Sequence, residues 1–386
     1  MTGVLSGTTV IELAGVLAGP TAGQFLAELG ANVVKVENAR TGGDVTRTWR
    51  LPSEDETDRP AYFCAANWGK RSVALDLSRA GGQSALAALV RTADVVLTAY
   101  KPGDAQRLGT DAPTLRQPSP RLIVVELTGY GPDDPRAGYD AVVQAETGFT
   151  HLNGHAGGPP TKMPVALMDL LAAHQIKEAV LAALLHRERT GEGAHVEISL
   201  LDAALASLAN QGTAWLQAGH DGRRMGSAHP QIAPYGTPLS TRDGEIVLAV
   251  GTDRQFAHLC DVLGVDPAPE WQTNPGRVAH REALHARLAE AARTWEREAL
   301  LAALHERSVP AGGVQRVSDA LGGSRIVLRE NGLAGLRQAV FLRQPGALRP
   351  PPRYAEHSVA VLREAGVPPG TLAEWVREGG VVEHGA

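Results

Sequence analysis

The first 38 residues contain the feature that most restricts the fold. TTVIEL (8–13) is rich in β-branched residues and predicts a strand. GPTAGQFLAELG (19–30) has helical spacing, with Pro20 near its start, and ANVVKVEN (31–38) predicts a second strand. A strand, a glycine-rich turn, a helix and a strand within about 30 residues form a βαβ unit, whose right-handed crossover requires parallel strands. The chain therefore begins with a parallel α/β sheet.

The same alternation continues to about residue 130. Further strands are predicted at RSVALDL (71–77), DVVLTAY (94–100) and RLIVVELTGYG (121–131), with a helix at GGQSALAALVRTA (81–93). A long helix over 167–187, a strand at AHVEIS (194–199) and one helix over 201–218 follow. The pattern predicts the α/β class, with a Rossmann-like large domain built on a parallel sheet.

The composition changes after residue 218. Residues 218–236 are rich in Gly, Pro and charge and predict a linker or long loop. A smaller α+β domain is predicted next, from the strand GEIVLAV (244–250), a helix at 256–264 and helical sequence over 281–307. The run LRPPPRY (348–354) cannot form a helix and is expected to cross a surface.

Charge and cysteine usage restrict the partners and the compartment. The chain has 37 Lys and Arg against 42 Asp and Glu, a net charge of −5 without a basic run, so nucleic acid is not expected. Cys64 and Cys260 lack CxxC spacing, and the 13 His form no HExxH or HxH motif. We expect no structural metal site and no disulfide. This cysteine usage favours a cytoplasmic protein. The longest apolar stretches fall short of about 18 residues, so no membrane span is expected.

Glycines follow the first predicted strand in a pattern that resembles a dinucleotide fingerprint. Gly15, Gly19 and Gly23 precede Glu37 by some 20 residues. The spacing is GxxxGPxxG rather than GxGxxG, and Pro20 removes an amide that would face a phosphate. Close packing of strand against helix is the favoured interpretation, and NAD is not expected.

One carboxylate interrupts the apolar run TKMPVALMDLLAAHQ (161–175). Burying an ionised Asp169 costs several kcal/mol unless it is paired, so it must cap the helix, be satisfied in the core or act chemically. His174 lies about 140° away on a helix and forms no dyad with it. Asp140 and Glu146 are weaker candidates, because their sequence surroundings are polar and predict solvated carboxylates. The residues alone leave the capping and catalytic roles open.

Several blocks in order carry a family resemblance. They include VIELAGVLAGPTAGQFLAELGANVVKVEN, NWGKRSVALDL, KPGDAQRLG, LTGYG, GYDAVVQAETG, GPPTKMPVALMD, HRERTGEGAHVEISLLDAAL, GEIVLAVGTDRQF and SVPAGGVQRVSDAL. Together they resemble the class III coenzyme A transferases (CaiB/BaiF), the family of formyl-CoA, carnitine-CoA and succinyl-CoA transferases and the related 2-methylacyl-CoA racemases. The resemblance covers most of the chain.

The resemblance implies a chemistry and a set of site residues. Asp169 matches an aspartate that attacks an acyl-CoA thioester and then carries CoA as an aspartyl thioester until an acceptor carboxylate takes it. Coenzyme A is thus implied as a substrate, without metal or NAD. The implied CoA contacts are Val16, Ala18, Leu75, Arg107, Gly129 and Tyr130, together with Asn38 and Ser78, which stand where relatives carry Arg and Lys.

Departures from the family pattern bear on specificity. Leu17 replaces a Gln of formyl-CoA transferases and Thr128 replaces a Lys, so formyl or oxalyl specificity is not favoured. Racemases carry a His in a GHD-type segment, whereas this chain has Gly138-Tyr139-Asp140, and a phenol with an ordinary pKa near 10 is a poor substitute. A racemase and a non-catalytic CoA-binding protein remain as alternatives to the transferase.

The resemblance also implies the domain order and the assembly. A large domain over 1–200 would be completed by 330–386, a helix and loop over 201–224 would link the domains, and a small α+β domain would span 225–329. Two chains would form an interlocked homodimer, an exception to ordinary unknotted assembly.

Overall fold

The described residues form two compact units. The computed structural model describes residues 3–342 and 346–385. The first unit comprises Met1–Thr147, Pro164–Gly212 and Arg325–Ala386, and the second comprises Gly148–Met163 and Thr213–Ser324. These bounds differ from the expected ranges chiefly at Gly148–Met163, which groups with the second unit. Whether the expected ranges correspond to domains that fold independently stays a prediction.

The strands are short and most of them belong to the first unit. In chain order they are β1 (Thr9–Leu13), β2 (Asn32–Asn38), β3 (Arg71–Leu75), β4 (Val95–Thr98), β5 (Ile123–Thr128), β6 (His195–Ser199), β7 (Leu239–Ser240), β8 (Glu245–Leu248), β9 (Ala311–Gly313), β10 (Val327–Glu330), β11 (Leu333–Leu336) and β12 (Val381–Val382).

The helices vary from one turn to almost seven. In chain order they are α1 (Ala18–Glu28), α2 (Ala61–Cys64), α3 (Ala80–Val90), α4 (Asp104–Leu108), α5 (Ala112–Arg116), α6 (Asp140–Glu146), α7 (Phe149–Leu152), α8 (Leu167–Thr190), α9 (Leu200–Ala206), α10 (Ala209–Ala218), α11 (Asp253–Leu263), α12 (Asn274–Ala279), α13 (Arg281–Ala292), α14 (Arg297–Glu306), α15 (Val317–Leu321), α16 (Ser358–Glu364) and α17 (Pro369–Arg377). Short 3₁₀ segments lie at Ala39–Thr41, Val45–Thr48 and Pro269–Trp271.

The first unit is built on a seven-stranded sheet of order β12-β3-β2-β1-β4-β5-β6. Its strands pair in parallel except β12, which runs antiparallel to β3. The chain builds β1, β2 and β3 in one direction and then returns to the other side of β1 with β4 and β5. The predicted α/β class with a mostly parallel sheet is therefore confirmed.

Both faces of the central strands are covered, which explains the apolar runs VVL in β4 and IVV in β5. Ile11 and Leu13 of β1 point into a core that α3, α16 and α17 complete. Val10, the alternate residue, packs into a second core with α1 and α8. Alternation along one strand thus supplies two cores.

The C-terminal tail completes the first unit. Val361, Leu362 and Leu372 of α16 and α17 are buried in the same core as Ile11. The proline run before them is not helical, as predicted, but the expectation of a surface segment is wrong for Pro351 and Pro352, which are buried. Their carbonyls accept hydrogen bonds from Arg59 and Arg47.

The second unit is a smaller α+β arrangement, as expected from its sequence. Strands β7, β8 and β9 form an antiparallel sheet, and the core includes Ile246 and Leu248 of β8 with Phe256 of α11 and Leu300 of α14. The helical sequence over 281–307 is divided into α13 and α14. The break is fixed by the Arg242 N–H, which donates to the Trp295 carbonyl at 3.0 Å.

A second predicted helix is also divided. The region 201–218 forms α9 and α10, and Ala209, the first residue of α10, has φ +47°, a left-handed value that one continuous helix could not contain. None of the helices in the described ranges is long and apolar enough to cross a membrane.

Candidate active site

A cavity of about 310 Å³ lies at the carboxyl ends of β1, β4 and β5 in the first unit. Its walls come from residues 15–18 after β1, 99–102 after β4, 127–129 at the end of β5 and 136–140. Asp169 and Leu200 complete the lining. Ligands of open α/β sheets bind outside the strand ends where the strand order reverses, and the β1–β4 boundary is such a point. The cavity is therefore the candidate site.

Asp169 is the third residue of α8 and is half-buried. Among the residues that the structure describes, its carboxylate accepts no hydrogen bond and has no ion-pair partner. Burial, and secondarily the charge of Asp140, raises the pKa of Asp169 to about 7. A carboxyl with that pKa is available both as an anion and as an acid near neutral pH.

The capping role that the sequence left open for Asp169 belongs to Asp140. Asp140 Oδ1 accepts the backbone N–H of Met168 at 2.9 Å, at the start of α8. Its Oδ2 accepts from the Gln144 side-chain amide at 2.8 Å. The expectation of a solvated carboxylate at Asp140 is thus wrong, because the side chain is buried and engaged. Glu146 is exposed and pairs with Arg136 at 3.1 Å.

The turn after β1 is strained where it meets the cavity. Val16 has φ +67°, which a β-branched residue rarely adopts. Its N–H points at the Asp44 carboxylate, with distances of 3.2 and 3.3 Å to the two oxygens. Outliers of this kind concentrate at functional sites.

A second, smaller cavity of about 90 Å³ adjoins the first through Tyr100, which lines both. It contains four of the predicted CoA contacts, namely Asn38, Leu75, Ser78 and Arg107. The first cavity contains Val16, Ala18 and Gly129 with Asp169. The fold thus brings eight of the nine predicted residues into two neighbouring cavities.

Tyr130 is the predicted residue that lines neither cavity. Its ring packs under the Arg136 guanidinium, 3.8 Å from the ring centre, and Arg136 in turn lines the first cavity. Tyr130 therefore contacts the site only indirectly, through the Arg136 side chain that packs on its ring.

Cations near the cavities were missed by the sequence analysis. Arg40 lines the smaller cavity beside Arg107. Lys101 and Arg136 line the larger one. Arg107 is exposed and forms an ion pair with Asp104 at 2.8 Å. Because this pair is exposed to solvent, a phosphate could replace Asp104 as the partner of Arg107. Arg40 lies two residues after Asn38, which stands where relatives carry Arg. The position of Arg40 in the sequence could therefore have identified it as a replacement for that missing charge.

The glycines after β1 pack as the close-packing interpretation requires. A Cβ at Gly19 would collide with Ala14, and one at Gly23 with the Glu12 carboxylate. Glu37, the acid of the dinucleotide-like pattern, is buried and bound to Arg47 at 2.7 Å.

One group outside the cavities has metal-ligand chemistry. Ligand atoms of Glu126, His195 and Glu197 lie within 4.8 Å of one another on β5 and β6. The His195 ring nitrogen is 2.6 Å from Glu126, and exposed groups of this kind are common without an ion. We assign no metal to them.

Comparison with known proteins identifies the family and agrees with the fold. The family described as CoA-transferase family III matches residues 5–369. A succinate–glutarate CoA-transferase of Agrobacterium fabrum is 39% identical over 93% of this chain and 95% of its own length. A succinyl-CoA:mesaconate CoA-transferase of Haloarcula marismortui is 34% identical over 96% and 98%. The crystal structure of a CAIB/BAIF family protein from Brucella suis superposes with a TM-score of 0.83 at 37% identity, covering 95% of this chain and all of that one.

The chain belongs to CoA-transferase family III and is an enzyme of that class. A non-catalytic CoA-binding protein is therefore no longer favoured. The cytoplasmic location, the homodimer and the roles of the individual site residues stay predictions.

Proposed function

We propose that the enzyme exchanges CoA between carboxylic acids, with Asp169 as the covalent nucleophile. The observation that carries this proposal is the Asp169 carboxylate itself, half-buried in the cavity at the sheet's switch point and without a hydrogen-bond partner among the described residues. A carboxylate used only for stability would be paired or capping, and Asp140 already caps α8.

The reaction would run through four acyl transfers. Asp169 attacks the thioester carbonyl of the donor, which releases CoA thiolate and leaves a mixed anhydride. The thiolate attacks the aspartyl carbonyl, so that the donor acid leaves and an aspartyl-CoA thioester remains. The acceptor carboxylate displaces the thiolate from that thioester to form a second anhydride. The thiolate then attacks the acceptor's carbonyl, which releases the new acyl-CoA and regenerates Asp169. A carboxylate is a weak nucleophile in water, so partial burial favours this chemistry.

Coenzyme A would extend from the smaller cavity to the larger one. Arg40 and Arg107 give the smaller cavity two guanidinium groups, which suit the phosphates of CoA. Tyr100, which lines both cavities, would lie beside the pantetheine arm. The thioester would then reach Asp169 next to Val16 and Gly129.

The acyl groups exchanged are proposed to be dicarboxylic. Lys101 and Arg136 line the cavity with Asp169, and a second carboxylate is the group they would bind. The names of the relatives cited above, which concern succinate, glutarate and mesaconate, support this class. In an acceptor panel, four- and five-carbon dicarboxylates should outpace monocarboxylates of equal length, and the reverse order would contradict the assignment.

Replacement of the nucleophile tests the mechanism. Asp169→Ala should lower CoA exchange by at least about a thousandfold, as for other covalent nucleophiles. Its affinity for free CoA, measured by calorimetry, should change little. Wild-type enzyme quenched with donor alone should carry a hydroxylamine-sensitive CoA adduct on the Asp169 peptide, and Asp169→Ala should not. Retained turnover in the variant would contradict the proposal. Asp266→Ala, at an exposed aspartate that lines neither cavity, serves as the control.

One observation also fits an epimerase. A carboxyl with its pKa near 7 can remove a proton α to a thioester. Tyr139 stands where racemases have His and is exposed at the cavity. Deuterium from solvent at the α-carbon of a 2-methylacyl-CoA, without any acceptor acid, would identify that activity.

A second copy of the chain is proposed as the partner of the first unit. Three large apolar side chains of α8 and α9 are exposed, namely Leu181, Leu185 and Leu205. Exposed leucines grouped on helices indicate an interface. Light scattering on the purified protein should give twice the chain mass, and a monomer would contradict the homodimer.

A further inference from the structure

A cluster of buried charges lies beneath the turn that follows β1. Lys35 Nζ is 3.2 Å from Glu12 and 2.8 Å from Asp44, and the three side chains are almost fully buried. The same ammonium group donates to the Ala14 carbonyl at 2.7 Å. Buried charges are tolerated only when each is satisfied, and replacing them by apolar residues is often as stable. Stability alone therefore does not explain the cluster.

Asp44 joins this cluster to the cavity wall. Its carboxylate accepts the Val16 N–H at 3.2 Å, while the Thr46 N–H and hydroxyl hold the other oxygen at 3.0 and 2.8 Å. Its own N–H donates to Glu37 at 3.0 Å. Glu37 is fixed by two bonds from Arg47, of 2.7 and 2.8 Å. Asp44 is thus held from both its backbone and its side chain.

The two bonds grip the strained turn on both sides of Gly15. Lys35 binds the carbonyl before Gly15, and Asp44 binds the N–H after it. Val16 in the left-handed region costs about 1–3 kcal/mol and persists only where the surroundings impose it. A Cβ on Gly15 would lie 3.5 Å from Asp44, so the carboxylate sits directly against the turn.

We propose that Asp44 is a positioning residue for the transfer reaction. Its carboxylate, oriented by Lys35, holds Val16 in the left-handed conformation and so fixes the wall of the cavity that Asp169 lines. The proposal rests on the proposed function, because that wall would receive the thioester. Asp44 itself lines neither cavity.

A double-mutant cycle with Val16→Gly tests this role. Glycine adopts positive φ without strain, so it does not need Asp44 to hold the turn. In the Val16 background, Asp44→Asn should lower kcat/KM for CoA exchange about tenfold to a hundredfold, as expected for a misplaced wall. In the Val16→Gly background the same change should cost less than about threefold. Equal losses in both backgrounds would overturn the proposal.

Asp111→Asn is the matched control. Asp111 and Asp44 are equally exposed at 8%, and Asp111 likewise accepts a threonine N–H and hydroxyl, from Thr114 at 3.1 and 2.8 Å. It lines neither of the two cavities, so its loss should leave kcat/KM unchanged. A loss equal to that of Asp44→Asn would overturn the positioning role in favour of general stability.

Two further measurements keep the outcomes separate. If Asp44→Asn does not fold, Asp44→Glu replaces it in the cycle, since it keeps the charge and displaces the carboxylate by one methylene. Hydrogen exchange of the peptide over 14–18 should accelerate at least about tenfold in the Asp44 variant. An unchanged rate of hydrogen exchange in the Asp44 variant would contradict the positioning role of Asp44 without contradicting the proposed function. If the wild-type enzyme transfers no CoA, the proposed function is contradicted. Hydrogen exchange of the peptide over 14–18 would still decide whether Asp44 holds the turn.

Discussion

At the residue scale, opposing electrostatic effects act on Asp169. The N-terminal turn of α8 favours its anion, whereas partial burial and the neighbouring Asp140 charge disfavour it. Burial wins, and the pKa rises to about 7. The carboxylate is then more basic than an ordinary aspartate, which makes it a better nucleophile once ionised.

This pKa predicts the pH dependence of exchange. The nucleophile must be ionised, so kcat/KM should rise with pH through about 7 and then level off. Asp140→Asn removes the like charge but can still accept the Met168 N–H through its amide oxygen. Its acid limb should move to lower pH, yet stay above the ordinary range, because burial is the larger cause. A pH–rate profile of each enzyme measures this, and an unmoved limb would contradict the assignment.

The same pKa predicts a stability gain from removing the charge. The folded carboxyl, with its pKa near 7, binds more protons than the unfolded one, with its pKa near 4, so wild-type stability falls as pH rises through that window. The Asp169→Asn variant has no carboxyl group at this position, so its stability should not fall with pH for this reason. Its melting temperature should exceed that of wild type by about 3 °C or more at pH 8 and match it near pH 4. Equal melting temperatures at pH 8 would mean that Asp169 is not desolvated.

At the element scale, the site is assembled from the ends of elements. The turn after β1, the loop after β4 and the end of β5 meet because parallel strands end at one edge of the sheet. The start of α8 joins them through Asp140 at the start of α6. Gly129, just after β5, and Gly138 pack backbone against backbone to bring that pair into place.

A methyl group at Gly129 should separate these segments. A Cβ there would lie 2.5 Å from the Gly138 Cα, and backbone cannot yield as a flexible side chain can. Gly129→Ala should lower the free energy of unfolding by about 1–3 kcal/mol and reduce exchange as Asp140 moves. Gly370→Ala, in open space within α17, is the control and should be neutral or slightly stabilising. Urea titration compares the two, and similar midpoints would contradict this packing argument.

At the scale of the whole molecule, the first unit needs segments from distant parts of the chain. The tail contributes β12 to the edge of the sheet and α16 and α17 to its core. Arg47 links the tail to the buried charge cluster by donating to the Pro352 carbonyl at 3.2 Å. The wall of the candidate site is thus supported by residues some 300 positions apart.

Removal of the tail should prevent folding. A chain that ends at Tyr354 loses Val361, Leu362, Leu372 and Val381, whose burial is worth about 6–12 kcal/mol, comparable to the whole stability of a domain. We expect the product to be insoluble or unfolded by circular dichroism. A chain that ends at Val382 retains these residues and should fold. A soluble, cooperatively folding truncation at Tyr354 would contradict the role of the tail.

The sequence predicted the parts of the fold that local patterns encode. The βαβ spacing of residues 8–38 predicted parallel strands, and the apolar run around Asp169 identified an unusual carboxylate. Patterns missed the break between α13 and α14, because a backbone bond from Arg242 to Trp295 fixes it across the sequence. They also missed Arg40 and Lys101, because a solvated cation and a ligand-binding cation look alike in sequence.

By itself, the sequence determined the alternation of strand and helix, the family and the candidate nucleophile, since each depends on residues near one another along the chain. Only the tertiary structure decided that Asp140 caps α8 and leaves Asp169 free of that role. It also decided that Asp44 and Lys35 hold Val16. These assignments depend on contacts between residues 21 to 28 positions apart, which a sequence pattern does not contain. The burial that raises the pKa of Asp169 exists only once the chain has folded.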